Sequence, residues 1–396
     1  MIRRVAFSAV GGAGWLGGQN YLRNLLQVLR RYAAMAIEPV VLAGGDAGGQ
    51  ALARFCSDAG IEVSTGDDFN AERLRRRAMS TFASGRDGVS EGRFAAAGID
   101  AIFESGSYFG WRARYPIVSW YPDFQHRHLP AMFRASDRWR RDVLLQTRMA
   151  GSRIFMLSSR TAEADCLRFF PAAIGRTIAV PFAVLSVPDI AEEANAVLAR
   201  HGIDGSYIFL PNQFWRHKNH SVVVDALSVL ASRSCPVRVV ASGLQQDLRD
   251  PAHFPALADR IARAGIGEAF RMLGVIPYAD LTTLMGNAAA VLNPSLFEGW
   301  STTVEEAKAL GVPLVLSDIP VHREQVGDRA NFFAPHNPSA LASILACFPP
   351  TLARPDGAAR RAGARSDQES RLHAFADLFI EAVDRAVTHK KLHQAA

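Results

Sequence analysis

Two glutamates with seven residues between them, Glu298 and Glu306, belong to the run Asn293-Pro294-Ser295-Leu296-Phe297-Glu298-Gly299-Trp300-Ser301-Thr302-Thr303-Val304-Glu305-Glu306. The apolar stretch before it predicts a buried strand, and the polar stretch after Gly299 predicts the start of a helix. Ser301 or Thr302 can cap that helix, with Glu305 completing a capping box from Thr302. Unpaired N–H groups and the dipole at such a helix start stabilise a pyrophosphate. A carboxylate before the helix can hold sugar hydroxyls, and one inside it can accept from a ribose. A capped surface helix with ordinary glutamates accounts for the same spacing equally well.

A second cluster, Leu210-Pro211-Asn212-Gln213-Phe214-Trp215-Arg216-His217-Lys218-Asn219-His220, leaves a strand-like segment and enters a helical one. Lys218 supplies a compact charge and Arg216 a forked donor, both suited to a diphosphate. A basic, solvated loop is the competing reading. A third, Gly11-Gly12-Ala13-Gly14-Trp15-Leu16-Gly17-Gly18, follows the first strand. Its glycines permit close approach to a phosphate, although a plain tight turn explains them as well. His126 and His128 stand at i and i+2, where a polar loop is the reading favoured over a metal pair; no His-x-x-x-His or His/Asp cluster has metal-ligand spacing, so no metal is expected. The four cysteines are scattered and read as small buried hydrophobes.

These clusters need strands to present them. Short apolar runs at Arg4–Val10, Glu38–Ala43, Ala101–Phe103, Ile117–Trp120 and Ile154–Leu157 alternate with helical segments, the first of them Gln19–Arg31. A second series runs through Ser206–Leu210, Val237–Ala241, Phe270–Leu273, Ala290–Leu292 and Pro313–Leu316. Such alternation predicts parallel sheets covered on both faces. The expected class is α/β, with two Rossmann-like, doubly wound domains facing each other across a cleft that holds the ligand. The expected divisions are 1–183 (acceptor side), a linker over 184–205 whose helix Asp189 caps, 206–365 (nucleotide-sugar side), and a C-terminal helix and tail over 366–396 that packs back on the first domain. Thr351–Arg365 reads as an exposed loop and Glu369–Val387 as the closing helix.

The chain has 396 residues, 49% hydrophobic and 21% charged, which suits a globular enzyme of two domains. The N-terminus lacks the long apolar stretch and cleavage site of a signal peptide, and no apolar run is long enough to cross a bilayer. The expected location is therefore cytoplasmic, with peripheral attachment to the inner face of the cell membrane. A formal charge of +6 favours an anionic partner. No nucleic-acid module is present, which leaves phosphorylated substrates and an anionic membrane surface. Arginines at 73, 75, 76 and 77 and at 134, 138, 140 and 141 could lie against lipid head groups. Solvated helix faces are the commoner fate of such runs.

Glu298-x7-Glu306 within Pro-Ser-Leu-Phe-Glu-Gly-Trp-Ser resembles the signature of the GT-B-fold retaining glycosyltransferases of family 4, also called group 1. The resemblance extends over Lys218-Asn219-His220, Gly274–Leu281, Ala309–Pro313 and Ser317–Pro320, essentially 206–342. In the N-terminal half it is looser, through Gly17-Gly18 and Tyr121–His126. By that resemblance Glu306 would bind the nucleotide ribose, Glu298 the transferred sugar, and Lys218, with Arg216, the diphosphate leaving group. Backbone around Trp300, Ser301, Thr302 and Thr303, with Gly17 and Gly18, would complete the phosphate cradle, and Val275 and Ile276 would meet the base. Asp123 or His126 would lie near the sugar. Departures are Ser301 in place of a usual glycine, Thr303 where apolar residues are common, and Asn212-Gln213 where an arginine is usual.

The activity so implied is metal-independent, cofactor-free transfer of a hexose, mannose-like by family analogy, from a nucleotide diphosphate sugar. The acceptor would be a glycan or lipid-linked oligosaccharide in bacterial O-antigen or capsule assembly. A GT-B nucleotide-sugar epimerase and a non-enzymatic two-lobed sugar-binding protein are the rival readings.

Overall fold

A computed structural model describes residues 2–8, 16–185, 194–349, 351 and 356–395. The glycines at 11–14 and the capping role of Asp189 fall outside these residues. The chain divides into two compact units, one formed by Met1–Phe124, Arg134–Leu185 and Ser370–Ala396, the other by Gln125–Phe133 and Ser186–Glu369.

The first unit holds seven parallel strands: β1 (Arg3–Ser8), β2 (Ile37–Ala43), β3 (Glu62–Thr65), β4 (Ala101–Glu104), β5 (Ile117–Tyr121), β6 (Arg153–Leu157) and β7 (Thr177–Ala179). Their order is β3-β2-β1-β4-β5-β6-β7. Central strands such as Ala101–Glu104 and Arg153–Leu157 are buried at every position, the pattern of a sheet covered on both faces. The helix Leu16–Tyr32 follows β1 and starts three residues before the expected Gln19, so that Gly17 and Gly18 occupy its first turn.

The last helix covers Gly357–Ala395. The stretch from Gly357 to Arg365, expected as loop, is therefore helical: alanines and arginines are strong helix formers, Gly357 stands at the helix start, and Gly363 in the interior costs only about 1 kcal/mol. Within the first unit Phe375 and Phe379 are fully buried. Phe379 lies 5.9 Å from Phe7 and 5.7 Å from Phe103, ring centre to ring centre, and Arg3 pairs with Asp384 at 2.8 Å.

The second unit holds six parallel strands: β8 (Ile208–Leu210), β9 (Val239–Ala241), β10 (Phe270–Met272), β11 (Ala290–Asn293), β12 (Leu314–Ser317) and β13 (Asn331–Phe333). Their order is β10-β9-β8-β11-β12-β13. Between β8 and β11 the strand order reverses, and the loops leaving these two strands diverge at their carboxyl ends. In open parallel sheets that divergence is where ligands bind.

Candidate active site

Lys218 and Glu298 arrive from the two sides of this switch point. β8 runs into a loop that ends in the short 3₁₀ turn Arg216–Lys218. Asn219 then adopts a left-handed backbone (φ +55°) that turns the chain into the helix His220–Ser232. The side-chain amide of Asn219 donates to Pro294 O at 3.1 Å and to Pro335 O at 2.8 Å, and Leu296 N–H donates to His217 O at 2.8 Å. These bonds lock the lysine loop to the glutamate loop. Asn219→Ala should remove both side-chain bonds and leave in the left-handed conformation a residue that tolerates it less well than asparagine, a loss of about 2–4 kcal/mol. Chemical denaturation of the purified variant measures it.

Lys218 Nζ donates to Glu298 Oε1 at 2.6 Å, and both side chains are largely buried, 14% and 10% exposed. The same oxygen accepts from Ser295 Oγ at 2.7 Å and faces Asn293 Nδ2 at 3.5 Å. Burial alone would raise the Glu298 pKa, but the Lys218 charge and its hydrogen bond outweigh it and bring it down to about 2. Glu298 is thus a fixed carboxylate, and Lys218 a cation aimed at the carboxyl ends of β8 and β11.

The helix Thr302–Ala309 begins four residues beyond Glu298, and its cap is Ser301, whose Oγ accepts from Val304 N–H. Because the cap sits one residue earlier than Thr302, Glu305 lies past the capping-box position. Its carboxylate instead accepts from Gln325 Nε2 at 2.9 Å and Lys308 Nζ at 3.0 Å. Asn293 ties the arrangement together, its amide donating to Ser301 Oγ at 2.9 Å and its oxygen accepting from Asn212 at 3.2 Å. Thr303 Oγ1 donates to Asn212 Oδ1 at 3.3 Å. Helical geometry leaves the N–H groups of Thr302 and Thr303 without a partner four residues back, so they are available to an anion.

Glu306, in the second turn of this helix, is 8% exposed and accepts from Tyr278 Oη at 2.8 Å. Burial pushes its pKa up to about 7, against the opposing effect of the tyrosine hydrogen bond. The Tyr278 hydroxyl is in turn raised by burial and by the neighbouring carboxyl. Tyr278 opens the helix Tyr278–Asn287 directly after Val275 and Ile276. Val275 is 72% exposed and Ile276 is half-buried, packed on the apolar core beneath β8, β9 and β11. The Glu306 carboxyl and the segment of Val275 and Ile276 therefore meet at the start of one helix.

Not every candidate joins this group. The guanidinium of Arg216 is directed to Asp250 at 3.7 Å and is 55% exposed. A cation that does contact the Arg216–Lys218 turn, through His217, is Arg249, which Asp247-Leu248-Arg249-Asp250, a charged run after β9, could have signalled. Arg249 Nη2 donates to His217 Nδ1 at 3.1 Å, Nη1 donates to Gln125 Oε1 at 3.0 Å, and its guanidinium lies over the rings of Phe133 and Trp215. His217 can accept because burial and then Lys218 lower its pKa to about 3. Trp300 is half-buried beside the Ser301 cap. His126 is 1% exposed within the turn Gln125–His128 of the second unit, whereas Asp123, Gly17 and Gly18 belong to the first unit.

Comparison with known proteins bears on this lysine–glutamate helix start directly. Residues 199–347 match the family model described as glycosyl transferases, group 1. The group 1 match contains Lys218, Glu298 and Glu306. Over 75 residues, 19% of this chain, the sequence is 34% identical to an O-antigen chain mannosyltransferase B of Escherichia coli. The matched stretch spans 20% of the length of that relative. Among solved structures, a glycosyltransferase from Rickettsia africae superposes with a TM-score of 0.63 at 14% identity, covering 100% of both chains. Anabaena HepE in complex with UDP superposes with a TM-score of 0.59 at 16% identity, covering 100% of this chain and 99% of its own. At such identities the superpositions speak for the fold, two Rossmann-like parallel-sheet domains of the GT-B type. The group 1 match supports a glycosyltransferase, and hence a transferase enzyme.

Proposed function

We propose that the chain is a retaining, metal-independent hexosyltransferase that takes its sugar from a nucleotide diphosphate donor. The observation that carries this reading is the buried Lys218–Glu298 pair at the carboxyl ends of β8 and β11, set before the Ser301-capped helix that bears Glu306. Departure of a diphosphate builds negative charge, and Lys218 together with the N–H groups of Thr302 and Thr303 stabilises it. Glu298, held ionised, accepts from hydroxyls of the transferred sugar, and Glu306 accepts from the ribose. The acceptor hydroxyl approaches from the face that the diphosphate leaves and passes its proton to a donor phosphate oxygen. The glycosidic C–O bond forms as the sugar–phosphate bond breaks, so no side-chain nucleophile is required.

The partial likeness to an O-antigen mannosyltransferase supports a mannose-like donor and a glycan or lipid-linked acceptor in surface-polysaccharide assembly. No helix among the described residues is long and apolar enough to cross a membrane. Peripheral attachment to an anionic bilayer is part of the proposal. The helix Ala135–Met149 supports it, with Trp139 exposed by 68% and exposed Arg134, Arg140 and Arg141 nearby. The test is donor turnover with and without acceptor, with EDTA present, reading the anomeric configuration of the product by proton NMR. Acceptor-dependent release of nucleoside diphosphate with the donor's anomeric configuration kept is the expected result. Donor consumption without acceptor would favour an epimerase, and an inverted product would end the retaining mechanism.

A further inference from the structure

The first unit buries two arginines against one glutamate at the carboxyl end of its sheet. Glu104, the last residue of β4, is fully buried. Its register partner on β5 is Ser119, and Tyr121, two residues on, shares that sheet face. Arg153 donates through Nε to Glu104 Oε2 at 2.8 Å and through Nη2 to Oε1 at 3.0 Å, and Phe109 N–H donates to Oε1 at 3.1 Å. The carboxylate is thereby taken up. Arg148, from the helix Ala135–Met149, is 3% exposed; its Nη2 donates to Ser107 O at 3.1 Å. Its Nε stands 3.5 Å from Glu104 Oε2 but makes no hydrogen bond among the described residues, and neither do the buried hydroxyls of Ser105, Ser119 and Tyr121.

Burying a second guanidinium beside a carboxylate that is already paired costs several kcal/mol unless an anion balances it. Leaving polar donors unmet adds about 1–3 kcal/mol for each. The cluster lies next to the point where strand order reverses between β1 and β4, and Ser8, the last residue of β1, is 3.2 Å from Ser107, hydroxyl to hydroxyl. That is the ligand end of an open parallel sheet. Burial lowers the Arg148 pKa and raises that of Tyr121, and the charge of each acts on the other. The phenol therefore stays a donor.

We infer that this cluster is a binding site for an anionic group, a phosphate or a carboxylate, held by Arg148 Nε and the hydroxyls of Ser119 and Tyr121. Its assignment as an acceptor subsite rests on the transferase reading, under which the acceptor carries a phosphate or an acidic sugar. Anion binding itself does not depend on that reading.

The experiment is calorimetric titration of the full chain with sodium phosphate and, separately, sodium glucuronate. Saturable binding of one of them is expected to persist in Lys218→Ala, where the diphosphate site is disabled, and in that background to be weakened about tenfold by Tyr121→Phe or Ser119→Ala and lost with Arg148→Met. The tighter anion names the group. Without anion, Arg148→Met should melt no lower than the parent, because it removes the excess buried charge. If Arg148→Met does not fold, the two hydroxyl variants carry the test alone. Binding that Lys218→Ala abolishes and Tyr121→Phe leaves unchanged would overturn the inference, as would no saturable binding of either anion. Failure of the transferase reading would register separately, as no binding of any nucleoside diphosphate.

Discussion

Replacing Lys218 with alanine should slow sugar transfer by about 10²–10³-fold, the usual cost of losing one preorganised group that stabilises departing negative charge. The geometry adds a second consequence. Glu298 accepts from Lys218 at 2.6 Å and is nearly buried, so the single replacement strands a carboxylate without its cation. Breaking such a pair costs about 3–5 kcal/mol when one partner stays charged and buried. The variant should therefore melt several degrees lower, and the Glu298 pKa should climb from about 2. Stability held by an ionised Glu298 is present above the ordinary carboxylate range and lost as pH falls through its depressed pKa. Lys218→Ala should lose that benefit at neutral pH. Adding Glu298→Gln should recover the melting temperature without recovering turnover. That split separates the role of the pair in folding from that of Lys218 in transfer. Unchanged turnover in folded Lys218→Ala would remove it from the leaving-group site.

Glu306→Gln is expected to act in the opposite direction on stability. The Glu306 pKa stands at about 7, above the ordinary carboxyl value, because burial disfavours its charge. A group raised in this way stabilises fully below its unfolded pKa and progressively less as pH rises through its folded value. Wild type should lose on the order of 3 kcal/mol between pH 4 and pH 8 through this group. Glutamine keeps an acceptor for Tyr278 and cannot ionise, so the variant should be the more stable of the two at pH 8 and lose that advantage near pH 4. Nucleotide binding should respond inversely. Ribose hydroxyls donate to a carboxylate, so wild-type affinity should strengthen as pH rises from 6 to 8, while the variant binds about tenfold more weakly with a flat profile. A flat wild-type profile would count against the ribose role.

The part of this site that was legible in the sequence is the part written in local spacing. Strand, loop and capped helix around Glu298 and Glu306 lie within residues 290–309, and strand, basic loop and helix around Lys218 within residues 208–232. What was not legible depends on partners distant in sequence. Tyr278 reaches Glu306 across 28 residues and Arg249 reaches His217 across 32. Gln325 takes the Glu305 carboxylate across 20, and no local pattern announces these contacts. The cap fell on Ser301 rather than Thr302 because Asn293 and Gln325 hold Ser301 in place.

In the fold, the central strands were readable from their apolar runs. Glu62–Thr65, Thr177–Ala179 and Asn331–Phe333 were not among the expected strands. All three are short and lie at sheet edges. The first and last show exposed positions, so their sequences lack the continuous apolar signature of a strand buried on both faces.

The central claim is that the second unit holds a nucleoside diphosphate through Lys218 and Glu306. The most direct test is a thermal-shift screen of the purified chain against UDP, GDP, ADP, dTDP and CMP, repeated with EDTA and with Lys218→Ala and Glu306→Ala. A rise for one diphosphate, insensitive to EDTA and reduced in both variants, is the predicted result. No shift with any nucleotide, or a shift that both variants retain in full, would contradict it.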